Sequence, residues 1–176
     1  MYRRAAFILS VMAALCLAVT LPACSAVAQQ KQQVSFKAPA ENSKYTQQLI
    51  VDVGDVPNHI VRAFEIRFTY PNNAPVINGS KVVETWGRGI TDYIDGNGSL
   101  TVYNVIVMEN GDKVFARLTG VTSNTSAKLT ATQVGYITGG SGKFVGVQGT
   151  VRISTNFDYK AGFNESQFDI EYSMGK

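Results

Sequence analysis

The 176-residue chain carries 16 basic and 13 acidic residues, with 45% hydrophobic and 16% charged positions. A balance so close to neutral supplies no basic surface for nucleic acid. Two cysteines, Cys16 and Cys24, and one histidine, His59, are too few for the ligand set of a thiolate metal site.

Residues 1–28 read as a secretory leader. Arg3 and Arg4 form its basic start, Ala5 to Leu21 its apolar stretch, and Ala26-Val27-Ala28 a small-x-small cleavage site. The apolar stretch lacks a charged stop on its far side, so export with cleavage is expected rather than a membrane span. The mature chain then starts at Gln29 in the periplasm or outside the cell. Leu21-Pro22-Ala23-Cys24 offers an alternative, because it resembles a lipoprotein box whose Cys24 would carry lipid and tether the protein to the envelope. Both cysteines fall in the leader, so the mature protein is expected to have no disulfide and to depend on its core. Loss of Arg3 and Arg4 takes the net charge from +3 to +1.

Residues 29–46 are rich in Gln, Lys, Ala, Asn and Ser, and read as a flexible lead-in with a short strand at Val34 to Phe36. Residues 47–176 read as one domain, and there the period is two. Gln48 to Val53 is a first strand, followed by a turn at Gly54 to Asn58. Ile60 to Tyr70 alternates: Ile60, Phe64, Ile66, Phe68 and Tyr70 share one face, while Ala63, Glu65, Arg67 and Thr69 share the other. Lys81 to Ile94 is a long strand, bent at Gly87 and Gly89. Asp95 to Gly98 turns into Ser99 to Glu109, and Asn110-Gly111 is a strong hairpin signal leading to Lys113 to Val121.

Ala127 to Thr138 and Lys143 to Thr155 flank Gly139-Gly140-Ser141-Gly142, read as a tight reversal, with Gly146 and Gly149 as bending points inside the second strand. A phosphate-binding loop fails here, since Ile137 and Phe144 occupy positions that need glycine and Ser or Thr. Gln167 to Met174 is the last strand. Evenly spaced strands with short turns and no amphipathic helix predict an all-β fold. An eight-stranded antiparallel up-and-down barrel is expected, with a sandwich as the alternative.

The run Ile137-Thr138-Gly139-Gly140-Ser141-Gly142-x-Phe144-x-Gly146-Val147-x-Gly149-x-Val151 resembles the hairpin of plant allene oxide cyclases and a glycine-rich stretch of dirigent proteins. Gly111-Asp112-Lys113-Val114-Phe115-Ala116 and Phe64-Glu65-Ile66 are similar to two further strands of those cyclases. The whole pattern, with GDVPNH and DYIDGNG, looks closest to uncharacterised secreted bacterial barrels. The resemblance implies a calycin-like barrel with a cavity, trimeric assembly, no cofactor, and a small apolar or aromatic ligand whose cyclisation or isomerisation is steered. It also implies a catalytic role for Glu65. The asparagine of the cyclases is replaced by Arg67, and their pocket cysteine has no counterpart.

If the charged faces turn inward, Glu65, Arg67, Glu84, Trp86, Arg88, Tyr103 and Arg117 converge in the barrel, where a carboxylate beside arginines stays ionised. The competing arrangement puts them outside as cross-strand ion pairs, over an interior of Phe64, Ile66, Val105 and Phe115. His59 near Asp55 reads as structural, and Asp92, Asp95 and Asn97 read as turn residues rather than a calcium loop. Two functions remain open. One is a secreted, cofactor-free barrel that binds a small molecule, with no nucleic acid and no membrane unless Cys24 is lipidated. The other is a structural or interaction barrel of the cell envelope.

Overall fold

The computed structural model describes residues 30–125 and 128–175. The leader, Cys24, Ser126 and Ala127 lie outside the described residues. Ten strands form the structure: β1 (Gln32–Ala38), β2 (Ser43–Asp52), β3 (His59–Thr69), β4 (Val76–Ile77), β5 (Ser80–Ile94), β6 (Asn97–Met108), β7 (Lys113–Thr125), β8 (Lys128–Gly140), β9 (Gln148–Asp158) and β10 (Phe163–Ser173). All pairings are antiparallel, and the order β1-β10-β9-β8-β7-β6-β5-β3-β2 is that of a meander, with the two-residue β4 paired to β5. The eight long strands expected from the alternation are β2, β3 and β5 to β10.

One curled sheet, rather than two packed ones, makes the fold a barrel. Side chains at alternate positions enclose a core of Phe36, Ile66, Phe68, Ile106, Leu118, Val151, Phe168 and neighbours. Phe168 stacks on Phe36 at 5.0 Å and meets Phe68 edge-on at 6.3 Å, joining β10 to β3 through the interior. The all-β barrel is as expected, but its hydrogen-bonded ladder does not close. The ladder ends at β1 on one side and β2 on the other. These strands are consecutive in the chain: β1 pairs with β10, then a single 3-10 turn (Ala40–Asn42) carries the chain to β2, which pairs with β3. Side chains bridge the remaining seam, where Asn164 of β10 donates to the Tyr45 hydroxyl of β2 at 3.1 Å.

Two local readings change. Residues 32–38 form a full strand of seven residues rather than a short one at Val34 to Phe36. Their polar side chains face outward while Phe36 and Ala38 are buried, so the composition is that of a linker although the pairing is that of a sheet. The reversal after β8 is also longer than a tight hairpin. Residues 141–147 form a loop with a 3-10 turn, and β9 begins only at Gln148, so Gly146 lies outside the strand. The reason is Phe144, fully buried with Val147 against one end of the core. The loop is held by Asp112, which accepts from the Lys143 amide at 3.1 Å, and by the Ser141 amide donating to the Lys113 carbonyl. The turn at Asp95-Gly96 is as tight as expected, with φ of 51° and 78°.

Gly89 makes room for an aromatic ring inside the barrel. It faces inward on β5, opposite Phe64 of β3, and a Cβ there would sit 2.7 Å from the Thr101 carbonyl and 2.9 Å from the Phe64 ring. The missing side chain is the space that the ring occupies. Gly89→Ala is therefore expected to destabilise the fold by about 1–3 kcal/mol through overpacking. Ile90→Ala, on the exposed face next door, should change stability by less than about 0.5 kcal/mol. Urea denaturation of both variants measures this, and equal effects would rule out a packing role for the Gly89 gap.

Candidate functional site

The outer face collects most of the residues that the sequence singled out. Phe64, Ile66 and Phe68 face the core, so the intervening Glu65 and Arg67 point away from it. Register then aligns Glu65 with Arg88 on β5, and Arg88 with Tyr103 on β6 and Arg117 on β7. Glu65, Arg67, Glu84, Trp86 and Arg88 do meet, but on the outside. The inward convergence expected for them, with Tyr103 and Arg117, is therefore corrected. Val105 and Phe115 also alternate outward, leaving Phe64 and Ile66 as the inner pair of that expected filling.

Although outward, Glu65 is only 7% exposed. A bulge between Tyr45 and Gln47 turns Thr46 toward it, and the Thr46 hydroxyl donates to its Oε1 at 2.5 Å. Arg67 Nε donates to the same oxygen at 2.9 Å and Arg88 Nε to Oε2 at 2.6 Å. Thr46, Arg88 and Arg67 hold the carboxyl down at about 2 against the opposing effect of burial. A carboxylate that acidic is a weak proton acceptor near neutrality, and its position is that of an anion shared between two arginines. Their guanidinium groups lie 4.8 and 4.5 Å from the Trp86 ring, and Glu84 approaches Arg67 at 3.8 Å. Beside this network runs an open groove of about 870 Å³ with Leu49, Ile90 and Tyr103 on its walls, exposed by 66%, 59% and 54%.

The interior holds a residue that the sequence reading passed over. Arg62 sits on the same face of β3 as Ile60, Phe64 and Ile66, and is 2% exposed. Its Nη1 donates to Gln48 Oε1 at 3.1 Å. The rings of Tyr159, Phe64 and Tyr45 surround its guanidinium at 4.5, 4.7 and 5.4 Å. Among the described residues, its buried Nε has no hydrogen-bond partner, and neither has Oε1 of Gln133. Among the described residues, no carboxylate lies within ion-pair distance of it. The signal was legible: a single arginine at an inward position between two apolar ones.

Arg62 and Gln133 line one internal cavity of about 40 Å³, with Tyr45, Tyr93, Asn104 and Asn164 among its other walls. A polar chain crosses one wall: Asn164 donates to Tyr45, the Ser166 hydroxyl to Asn164 at 3.0 Å, and Ser166 shares a 2.9 Å bond with Thr155. Burial pushes the Tyr93 hydroxyl up to about 12, against the nearby Arg62 charge that favours its anion. Beyond Tyr159 a larger groove of about 760 Å³ opens at the barrel's mouth, with Ile60, Leu129, Phe157 and Phe163 on its walls. At the same end, His59 bridges Asp55 at 2.6 Å and Asp92 at 2.8 Å and ties the β2–β3 turn to β5. Both carboxylates favour the imidazolium, Asp92 more than Asp55.

No protein-family model matches the sequence, and no curated protein does. Among solved structures, the chain is similar to the pterocarpan synthase dirigent protein PsPTS1, at 16% identity over 84% of this chain and 97% of that one, with a TM-score of 0.50. It also matches the pterocarpan synthase dirigent protein GePTS1, at 16% identity over 84% and 90% of the two chains, with a TM-score of 0.48. The likeness is one of fold: an all-β, dirigent-like barrel.

The two arginine settings make opposite predictions. Glu65 has a depressed folded value, so its stabilisation is present above its ordinary 4.5 and is lost as the pH falls toward about 2. Glu65→Gln should therefore lower the urea midpoint clearly at neutral pH and hardly at all near pH 2; an equal loss at both would refute the ionic network. Arg62→Met removes a buried charge without a counter-ion and is expected to raise stability by about 1–3 kcal/mol. A lower urea midpoint for this variant would mean that Arg62 is satisfied where it stands.

Proposed function

We propose that this barrel binds a small apolar or aromatic molecule at its Arg62 end and steers its cyclisation or isomerisation without a cofactor. The observation that carries the reading is the ring-lined arginine with an unmatched donor beside a cavity, at the end of the barrel opposite the Phe144 plug. A cavity of about 40 Å³ admits a head group only, whereas a whole ligand occupies several hundred Å³. The body of the ligand would lie in the mouth groove, with Tyr159 swung aside. The barrel then contributes shape, a fixed charge and exclusion of water, which restrict the folded conformations open to a reactive intermediate. PsPTS1, whose fold is similar, is a pterocarpan synthase, in keeping with such a role. Glu65 serves in this reading as the organiser of the outer network.

A second reading, an interaction barrel of the envelope, is favoured by the outer groove. Leu49, Ile90 and Tyr103 beside an Arg–Trp–Arg stack have the composition of an interface centre. We take this face as the contact of a homotrimer, and the leader as export to the periplasm or beyond, with lipid at Cys24 as the alternative.

Native mass spectrometry of the protein purified from its own envelope fraction tests all of this. The expected species is a trimer of chains starting at Gln29, retaining a small aromatic molecule in a 1:1 ratio per chain. A chain that binds none of a panel of small aromatics overturns the first reading; a monomer overturns the second; a lipid-sized mass increment on Cys24 replaces secretion with tethering.

A further inference from the structure

The internal arginine specifies more than a pocket. A guanidinium carries a fixed charge and five donors in one plane, and its natural partner is a planar oxyanion met edge-on. Around Arg62 one edge is used by Gln48 at 3.1 Å, and three rings stand within 5.4 Å. The buried Nε–H is left without a partner among the described residues. Gln133 lies on the same cross-strand row, which runs from Arg62 through Thr91, Leu100 and Gly120 to Gln133. Gly120 has no side chain, and Gln133 Cγ leans to 3.0 Å from where its Cβ would be. The Gln133 amide can present either a donor or an acceptor by half a turn. Arg62 and Gln133, on opposite strands and each with one unmatched polar atom, thus both line a cavity of about 40 Å³, a space suited to a head group of a few atoms.

We infer that the ligand of this barrel is an organic acid with an aromatic body, its carboxylate seated against Arg62 Nε and Gln133 and its ring in place of Tyr159 at the mouth. The inference rests on the small-molecule reading above and adds the charge. A neutral aromatic would leave Arg62 as unmatched as before. A bare inorganic anion would satisfy the charge and make no use of the Tyr45 and Phe64 rings that remain when Tyr159 is displaced. An aromatic acid uses both. Tyr159 is suited to exchange with such a ring, since it sits on the β9–β10 turn and its carbonyl accepts only a 3.5 Å bond from Gln48.

The test compares three probes on the wild-type mature protein at neutral pH: benzoate, its neutral counterpart benzyl alcohol, and formate. Calorimetry gives the affinities, and the arginine Nε–Hε resonances in a nitrogen–proton spectrum report the hydrogen bond directly. Benzoate is expected to bind at least about tenfold tighter than either other probe, as a charge-assisted hydrogen bond supplies, and to shift one Nε–Hε proton downfield. Arg62→Gln should abolish that preference while leaving weak benzyl alcohol binding in place. Benzyl alcohol binding as tightly as benzoate would overturn the carboxylate and leave the small-molecule reading standing. Formate matching benzoate would reduce the site to a bare anion site and overturn the aromatic acid. Binding of no probe, with the Nε–Hε spectrum unmoved, sinks both readings together. The wild-type comparison carries the test even if the variant fails to fold.

Discussion

The parity of β3 decides which charges this barrel encloses and which it displays. Ile66 and Phe68 are inside, 4% exposed each, and burying a side chain of that size contributes about 1.5–3 kcal/mol. A slip of one residue would turn both outward and carry the whole strand with them. With β2 and β5 hydrogen-bonded on either side, the strand has no freedom to twist one residue out of turn. Arg62 is therefore held within the barrel and Glu65 outside it, whatever each charge would favour alone. The outer face can answer Glu65 with Thr46, Arg67 and Arg88. The inner face answers Arg62 with rings and a single amide oxygen.

The two ends of the barrel are closed in different ways. One is sealed by the residue 141–147 loop, whose Phe144 is fully buried and whose backbone is tied to Asp112 and Lys113. The other is closed by Tyr159 on a turn, above Arg62. The seam between β2 and β10 opens toward this second end, because β1 pairs with β10 only as far as Ser166. Past that point the boundary is held by Tyr45–Asn164 and Gln48–Tyr159 side-chain bonds. Side-chain bonds give way at lower cost than a ladder, so the lining of the Arg62 cavity lies where the sheet is least constrained.

Alternation makes the eight long strands, the inward Phe64 and Ile66, and the Asp95-Gly96 turn readable from the chain alone. What is not readable depends on contacts distant in sequence. The β1 strand looks like a linker because its outward positions are Gln33, Ser35 and Lys37; only pairing with β10 makes it a strand. The glycine-rich loop reads as a tight turn until Phe144 finds the core. The cluster around Glu65 is legible as a cluster but not as to its side, since burial of a carboxylate suggests an interior while two arginines and a threonine bury it equally well outside. Arg62 needs no distant information. Its position in the alternation marks it as inward, although the apolar residues about it give that face the look of plain core.

Arg67 and Arg88 hold their positions with a carboxylate that outlasts any ordinary acidification, and their loss would leave Glu65 exposed to its own burial. Arg62 has no such tie. A methionine or leucine would fill the same volume and match the surrounding rings without leaving a donor unmatched. Folding alone gives no reason for arginine at this place. The charge is held there by the register of β3 and by the rings of Tyr45, Phe64 and Tyr159, with no counter-ion among the described residues. The unmet donor at the Tyr159 end thus follows from strand parity, and it is the observation on which the proposed recognition rests.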